Sequence, residues 1–303
     1  MLHCHCCGVE QRGRTPQPNF ARRLPSPAFP FAKVSTMIQD LRNAIEWRWK
    51  RLRQLRFLRK HFKNGDELVA AYLGKTPLGV AACSDGWLVT HPKSRRGLAE
   101  TILEIWHTKI YTGRFYQPQP GDAIIDAGAN VGLFSTWIGH NHPDTTVYAF
   151  EPCRENYEHL LENIRSCGSQ RVQAHWAAVG GCDGTTRVTS EDVRSLDHRL
   201  DPNGMGESVP LYSFKSVVEM VARPRIALCK VDIEGSEFEL FESADTNSLD
   251  RIDRFAIEYH EHLKPGVVHL IKAKLEATHR LRIEPDPGQQ YGMIYALHRG
   301  HVQ

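Results

Sequence analysis

Apolar positions along this chain follow two rhythms. Short runs of strand length, rich in β-branched and aromatic residues and bounded by Gly, Pro or an acid, recur at 123–126, 146–150, 171–179, 226–231 and 255–259. Between them lie segments with helical spacing at 133–140, at 155–167 with Leu160, Leu161 and Ile164 on one side, at 214–221 and around 271–275. Strand alternating with helix predicts an α/β domain built on a parallel sheet. Two last runs, 281–283 and 293–297, read as antiparallel strands joined by the turn 285–292, and 208–211 reads as a strand returning to the fold. Residues 182–206 are polar and turn-rich, a hairpin or a lid.

The N-terminal part follows other patterns. Residues 1–35 are rich in Pro, Arg and Cys without hydrophobic period, which predicts a disordered leader, with Met37 the expected native start. The cluster His3-Cys4-His5-Cys6-Cys7 lacks the second ligand pair that structural zinc requires. A helix is predicted over 38–63, carrying basic residues from Arg48 to Lys63. Short apolar runs at 68–73, 78–83 and 87–90 alternate with turn signals and read as a small antiparallel hairpin set. Residues 96–111 are helical by period. The expected division is a leader 1–36, an N-terminal helix and hairpin appendage 37–117, and a main domain 118–303.

Composition narrows the classes. The 303 residues with 41% hydrophobic content suffice for one large domain and an appendage. A formal charge of +3 argues against a dedicated nucleic-acid binder. No apolar stretch approaches the ~18 residues of a membrane span, and scattered cysteines such as Cys83, Cys153 and Cys229 suit a reducing compartment, so a cytoplasmic protein is expected.

The candidate chemistry centres on Asp126-Ala127-Gly128-Ala129-Asn130-Val131-Gly132, a glycine turn between strand and helix, followed by a strand that ends at Glu151-Pro152. Acids at the carboxyl ends of strands stand where open α/β sheets bind ligands. A dinucleotide pyrophosphate wants a second glycine and bare amides at this turn. Here Asn130 replaces that glycine and Asp126 brings negative charge. The turn suits a ligand with positive charge, such as S-adenosylmethionine, whose ribose diol Glu151 could accept. A second stretch, Lys230-Val231-Asp232-Ile233-Glu234-Gly235-Ser236-Glu237, ends a buried strand and puts Asp232, Glu234 and Glu237 on the same rim. Helix capping accounts for one of these acids but not for all three. The 255–259 strand carries Glu258 and leads into His260-Glu261-His262.

These three motifs, with Ile257-Glu258-Tyr259-His260, resemble the FkbM-type family of S-adenosylmethionine-dependent methyltransferases over roughly residues 122–259. The resemblance implies a Rossmann-like seven-stranded sheet, mostly parallel with an antiparallel last strand. It implies that Asp126, Gly128, Ala129, Asn130 and Gly132 hold the methionine part of the donor and that Glu151 and Pro152 lie at its ribose. Ala178 and Val179 would face the adenine, and the acceptor would be a hydroxyl on a small molecule or saccharide.

Methyl transfer needs alignment of acceptor and methyl, exclusion of water and removal of the hydroxyl proton. Asp232, Glu237 and His260 are the candidate catalytic residues, with His260 favoured as base for its ordinary pKa. A divalent ion held by Asp232, Glu258 and His260 is an alternative that no ligand spacing demands, and no metal is predicted. Two other classes compete: a nicotinamide-dependent oxidoreductase on the same βαβ unit, and a non-catalytic adaptor touching a membrane surface through the basic helix 48–63.

Overall fold

The computed structural model describes residues 31–74, 76–92, 97–113, 115–190, 198–200 and 206–300. The five apolar runs each supply one strand to a single sheet, because each can be covered on both faces. These are β1 (Ala123–Ala127), β2 (Thr146–Phe150), β3 (Val172–His175), β4 (Leu228–Val231) and β5 (Arg254–His260). The chain ends with β6 (His279–Pro285) and β7 (Tyr291–His298). The order across the sheet is β6-β7-β5-β4-β1-β2-β3. β3 through β5 run parallel by way of β2, β1 and β4, and β7 is antiparallel to both β5 and β6. The short link between β6 and β7 forces that reversal, because parallel neighbours need a crossover of a dozen residues or more.

Neighbouring residues of β1 face opposite sides. Ile125 joins Phe150, Phe214, Phe241 and Phe255 in one core, while Ile124 packs with Phe134, Ile138, Val147 and Leu160 in another. Each such side chain stabilises the fold by about 1.5–3 kcal/mol through burial. Helices Leu133–Asn141 and Arg154–Cys167 cover the second face, and Phe214–Met220, Glu237–Ser243 and Val267–Leu275 the first.

Several local expectations are corrected. The run 171–179 is not one strand. After His175 the chain turns through Trp176, whose indole donates to the Pro152 carbonyl, and Ala178–Gly180 pairs with Glu207–Ser213 in a separate four-stranded sheet. That sheet also contains Gly184–Ser190 and His198–Leu200, so the polar segment includes a hairpin; 191–197 and 201–205 lie outside the described residues. The run 68–73 is helical, not extended, within Gly65–Tyr72. Leu68 and Val69 share a face with Tyr72 at helical spacing, and Asp66 and Glu67 occupy the first turn, where the dipole favours acids. Only Val80–Ala82 and Leu88–Thr90 form the expected hairpin. Helix Leu98–Ile102 widens into a π-helix, Leu103–Thr108, stopped by Lys109 in the left-handed region.

The chain divides into two units, one up to Trp49 and one from Lys50 onward. Helix Phe31–His61 supplies residues to both, and its start lies inside the segment expected to be disordered. Residues 1–30, with the His3–Cys7 cluster, are outside the described residues. In the first unit Leu41, Ile45, Trp47 and Trp49 are exposed; in the second, Leu58 is fully buried. Among the described residues no helix is long and apolar enough to cross a membrane.

Candidate active site

β1 and β4 are parallel neighbours in the middle of the sheet, so the turn after β1 and the acid after β4 meet beyond the strands' carboxyl ends. The contact is close. Gly128 has φ 79°, and a Cβ there would lie 1.7 Å from the Asp232 carbonyl oxygen, so only glycine fits. Gly132, at φ 81°, is held by packing instead, its missing Cβ being replaced by Leu160. Asn130 takes φ 53°, a conformation Asn tolerates better than most residues.

The amides of the turn are all engaged inside the protein. Those of Gly128 and Ala129 donate to the Phe150 carbonyl at 3.0 and 2.8 Å, and that of Gly132 to Ala129 at 2.8 Å. The Asn130 amide donates to Glu151 Oε2 at 2.7 Å, and the Val131 amide to Asn130 Oδ1 at 2.8 Å. Glu151 Oε1 also accepts from the Cys153 amide at 2.9 Å. Burial pushes the Glu151 pKa up to about 7, against the pull of these donors and of Asn156.

Asp126 is fully buried. Its Oδ2 accepts from Ser135 Oγ at 2.6 Å and its Oδ1 lies 3.0 Å from Lys230 Nζ. The same ammonium donates to the Gly128 carbonyl at 2.7 Å and stands 3.6 Å from Asp232 Oδ2. Burial works against the charged lysine, but Asp126 and Asp232 outweigh it and hold the Lys230 pKa above its ordinary value. The charge of Asp126 is thus answered within the fold rather than offered to a ligand.

Asp232 is partly exposed, and its Oδ2 accepts from Tyr111 Oη at 2.9 Å. The phenol is also 3.3 Å from Glu258 Oε2. Burial first, then the charges of Asp232 and Glu104, push the Glu258 pKa up to about 9, so Glu258 holds a proton at neutral pH. Glu104, on the π-helix, is raised by burial and by Asp232.

Glu237 and His260 stand behind this row. Glu237 is fully buried, and its carboxylate accepts from the Gly235 amide at 3.0 Å and the Ile233 amide at 3.2 Å, fastening the loop that carries Glu234 at φ 50°. It also meets His260 Nδ1 at 3.1 Å, while His260 Nε2 lies 3.4 Å from Glu234 Oε2. Burial lowers the His260 pKa, but Glu237 and then Glu234 and Asp232 carry it up to about 9. His260, favoured as base from the sequence, is engaged by Glu237 on one nitrogen and faces Glu234 with the other.

Two cavities meet at Asp232. One, of about 550 Å³, is lined by Gly128, Asn130, Glu151, Pro152, Ala178 and Val179, with Asp232 and Glu234 at its end. The other, about 780 Å³, is lined by Ala129, Glu104, Tyr111, Lys230, Asp232 and Glu258. Through Glu104 and Glu258 it adjoins a third of about 1050 Å³, which includes Lys109, Arg282, Asp286 and Tyr291. Asp126, Gly132, Glu237 and His260 line none of the three.

Lys230, Tyr111 and Glu104 were missed in the sequence. A lysine inside a buried strand was a signal for Lys230, since such a charge needs a partner. Tyr111 and Glu104 carried none, because they reach the site from an element far away in the chain.

The model of the methyltransferase FkbM domain matches residues 126–289, more than half of the chain. The chain belongs to this family. It is therefore a methyltransferase by family, with the sheet order just described as its scaffold. This FkbM-family chain is 26% identical over 185 residues to Methyltransferase 1 of Beauveria bassiana (strain ARSEF 2860), covering 53% of the chain and 74% of that protein. It is 25% identical over 191 residues to the 31-O-demethyl-FK506 methyltransferase FkbM of Streptomyces tacrolimicus, covering 52% of the chain and 73% of that protein. Among solved structures it is similar to an rRNA methylase from Streptococcus thermophilus at 12% identity, with 59% of this chain and 88% of that chain covered and a TM-score of 0.39. It is also similar to TYW2 of M. jannaschii in complex with AdoMet at 13% identity, with 74% and 85% covered and a TM-score of 0.39.

Proposed function

We propose that this chain methylates a hydroxyl of a small molecule or saccharide with S-adenosylmethionine as donor. The observation that carries the reading is the state of the glycine turn. Every amide from Gly128 to Gly132 is already bonded within the protein, so none is free to receive a pyrophosphate. That disfavours the nicotinamide reading. A donor without phosphate asks instead for bare backbone close to an acid, which Gly128 beside Asp232 offers, and for a carboxylate near a ribose diol, which Glu151 offers.

In this reading Gly128, Asn130, Glu151, Pro152, Ala178 and Val179 line the donor cleft, and the cavities beyond Asp232 receive the acceptor. When bound, the donor supplies a methyl carbon already activated by its sulfonium. Asp232 is the group at the junction that can accept the hydroxyl proton, with Tyr111 and Lys230 fixing its orientation. Glu258 and Glu104 belong to the acceptor side, where the protonated carboxyl of Glu258 can donate to a hydroxyl group. Residues 97–117 thereby count with the catalytic domain rather than with an appendage. One relative is named for methylation of 31-O-demethyl-FK506, a small-molecule acceptor of this kind.

The test is calorimetric titration of the full chain with S-adenosylmethionine, with NAD as control and Glu151→Gln alongside. Donor binding weakened at least tenfold in the variant supports the reading, followed by a screen of hydroxylated acceptors with labelled methyl donor. Binding of NAD in place of S-adenosylmethionine, or of neither, overturns it.

A further inference from the structure

Beyond methyl transfer, one group of side chains has the makings of a cation site. Asp232, Glu234 and His260 offer ligand atoms that all lie within 4.8 Å of one another. Two carboxylates and an imidazole form a mixed oxygen and nitrogen set suited to borderline and hard divalent ions. It is not the set suggested by sequence: Glu234 takes the place of Glu258.

The support behind these three residues is what distinguishes them from acids that happen to be near one another. His260 is 5% exposed, and its Nδ1 is engaged by Glu237, a fully buried carboxylate that is not itself a member of the cluster. A metal-bound histidine is oriented in this way, its second nitrogen held by a carboxylate so that the first points at the ion. Here Nε2 is the nitrogen left over, and it faces Glu234 at 3.4 Å. Glu237 also fastens the Ile233 and Gly235 amides, so one buried group fixes both the imidazole and the loop that presents Glu234. Asp232 is in turn held by Tyr111 and Lys230. Neighbouring ligands of a six-coordinate ion stand roughly 3 Å apart at metal–oxygen distances of about 2.1 Å. The cluster needs a contraction of less than about 2 Å to reach that geometry.

We propose that Asp232, Glu234 and His260 bind one divalent cation of the Mn²⁺ or Mg²⁺ type at the junction of the donor and acceptor cavities. Asp232 and Glu234 line both cavities, so the ion is open to an acceptor oxygen while the imidazole anchors it from within. Its charge would stabilise the developing alkoxide, so that Asp232 need not be a strong base. That catalytic role rests on the proposed methyl transfer; the binding itself does not.

The experiment uses Mn²⁺ as probe on the full chain freed of metal with EDTA. Loss of the six-line electron paramagnetic resonance signal of free Mn²⁺ counts the ions bound, and the melting temperature is followed in parallel. The expected result is one Mn²⁺ per chain and a raised melting temperature. Affinity should fall at least tenfold in Glu234→Gln and in Asp232→Asn, and be unchanged in Glu239→Gln, a control acid already paired with Lys264. Should Asp232→Asn not fold, Glu234→Gln decides, because that side chain reaches solvent. No uptake by the wild type at millimolar Mn²⁺, or equal uptake by wild type and Glu234→Gln, overturns the proposal. Donor binding measured on the same samples is independent, so failure here does not count against the methyltransferase reading.

Discussion

Replacing Glu237 with Gln keeps the shape of a fully buried side chain and removes its charge. In the native protein the His260 pKa rises from 6.5 to about 9, with Glu237 the largest of the causes that raise it. A gap of about 2.5 units corresponds to roughly 3 kcal/mol of stabilisation, at about 1.4 kcal/mol per unit. The sign is that of a cation gained. The folded state holds the proton more tightly than the unfolded chain, so the contribution is complete below about pH 6.5, declines as pH rises, and is gone above about pH 9. Glu151, also raised, lowers stability as pH rises and does so in wild type and variant alike, whereas Glu258 feels the His260 charge and shifts with it. Urea denaturation at pH 6 and pH 9.5 measures this directly. Glu237→Gln should be less stable than wild type at pH 6 by at most about 3 kcal/mol, because Glu234 and Asp232 still favour the His260 proton, and the difference should shrink at pH 9.5. An equal difference at both pH values would refute the ion pair as its source and leave only the lost hydrogen bonds to the loop.

Three further outcomes follow from the same geometry. Gly128→Ala should cost about 2–4 kcal/mol in thermal or chemical unfolding, from a left-handed φ and a Cβ driven into the Asp232 carbonyl, and should abolish donor binding; wild-type binding in calorimetry would refute the close contact. Lys230→Met should destabilise by about 3–5 kcal/mol, because Asp126 is left charged with only Ser135 as partner; a loss under 1 kcal/mol in urea denaturation would mean that the pair carries little. With its pKa near 7, Glu151 should accept from the donor ribose better once ionised, so affinity for S-adenosylmethionine measured by calorimetry should be higher at pH 8 than at pH 6; an unchanged affinity would exclude Glu151 as the acceptor.

Much of the scaffold was legible because its signals are local. Five apolar runs of strand length, each ending in a polar residue or turn, correspond to five strands of the sheet, and the last hairpin was visible in its turn. The run 68–73 was misread because six apolar residues without punctuation carry no period of their own, and its helix depends on packing Leu68 and Val69. The break at Trp176 is set by a bond to Pro152, a partner no local pattern could announce. The same division runs through the site. Gly128 and Asp232 could be found from motif spacing, since each belongs to a strand end, and Glu151 likewise. What those acids do was hidden: Asp126 is consumed by Lys230, Glu237 by the loop and His260, and Asp232 is oriented by Tyr111 from 121 residues away. Charge in a sequence reports that a partner exists, not which one.

Lys230 and Asp126 are direct partners across the parallel strands β4 and β1. A slip of two residues between these strands would preserve which side chains face each core, so hydrophobic patterning alone gives weak protection against it. It would, however, set the lysine opposite Ile124 or Gly128 and strand two opposite charges in an apolar interior, at several kcal/mol. The ion pair therefore acts as a registration mark: the register that sets Lys230 beside Asp126 lets each charge meet the other, and a two-residue slip does not.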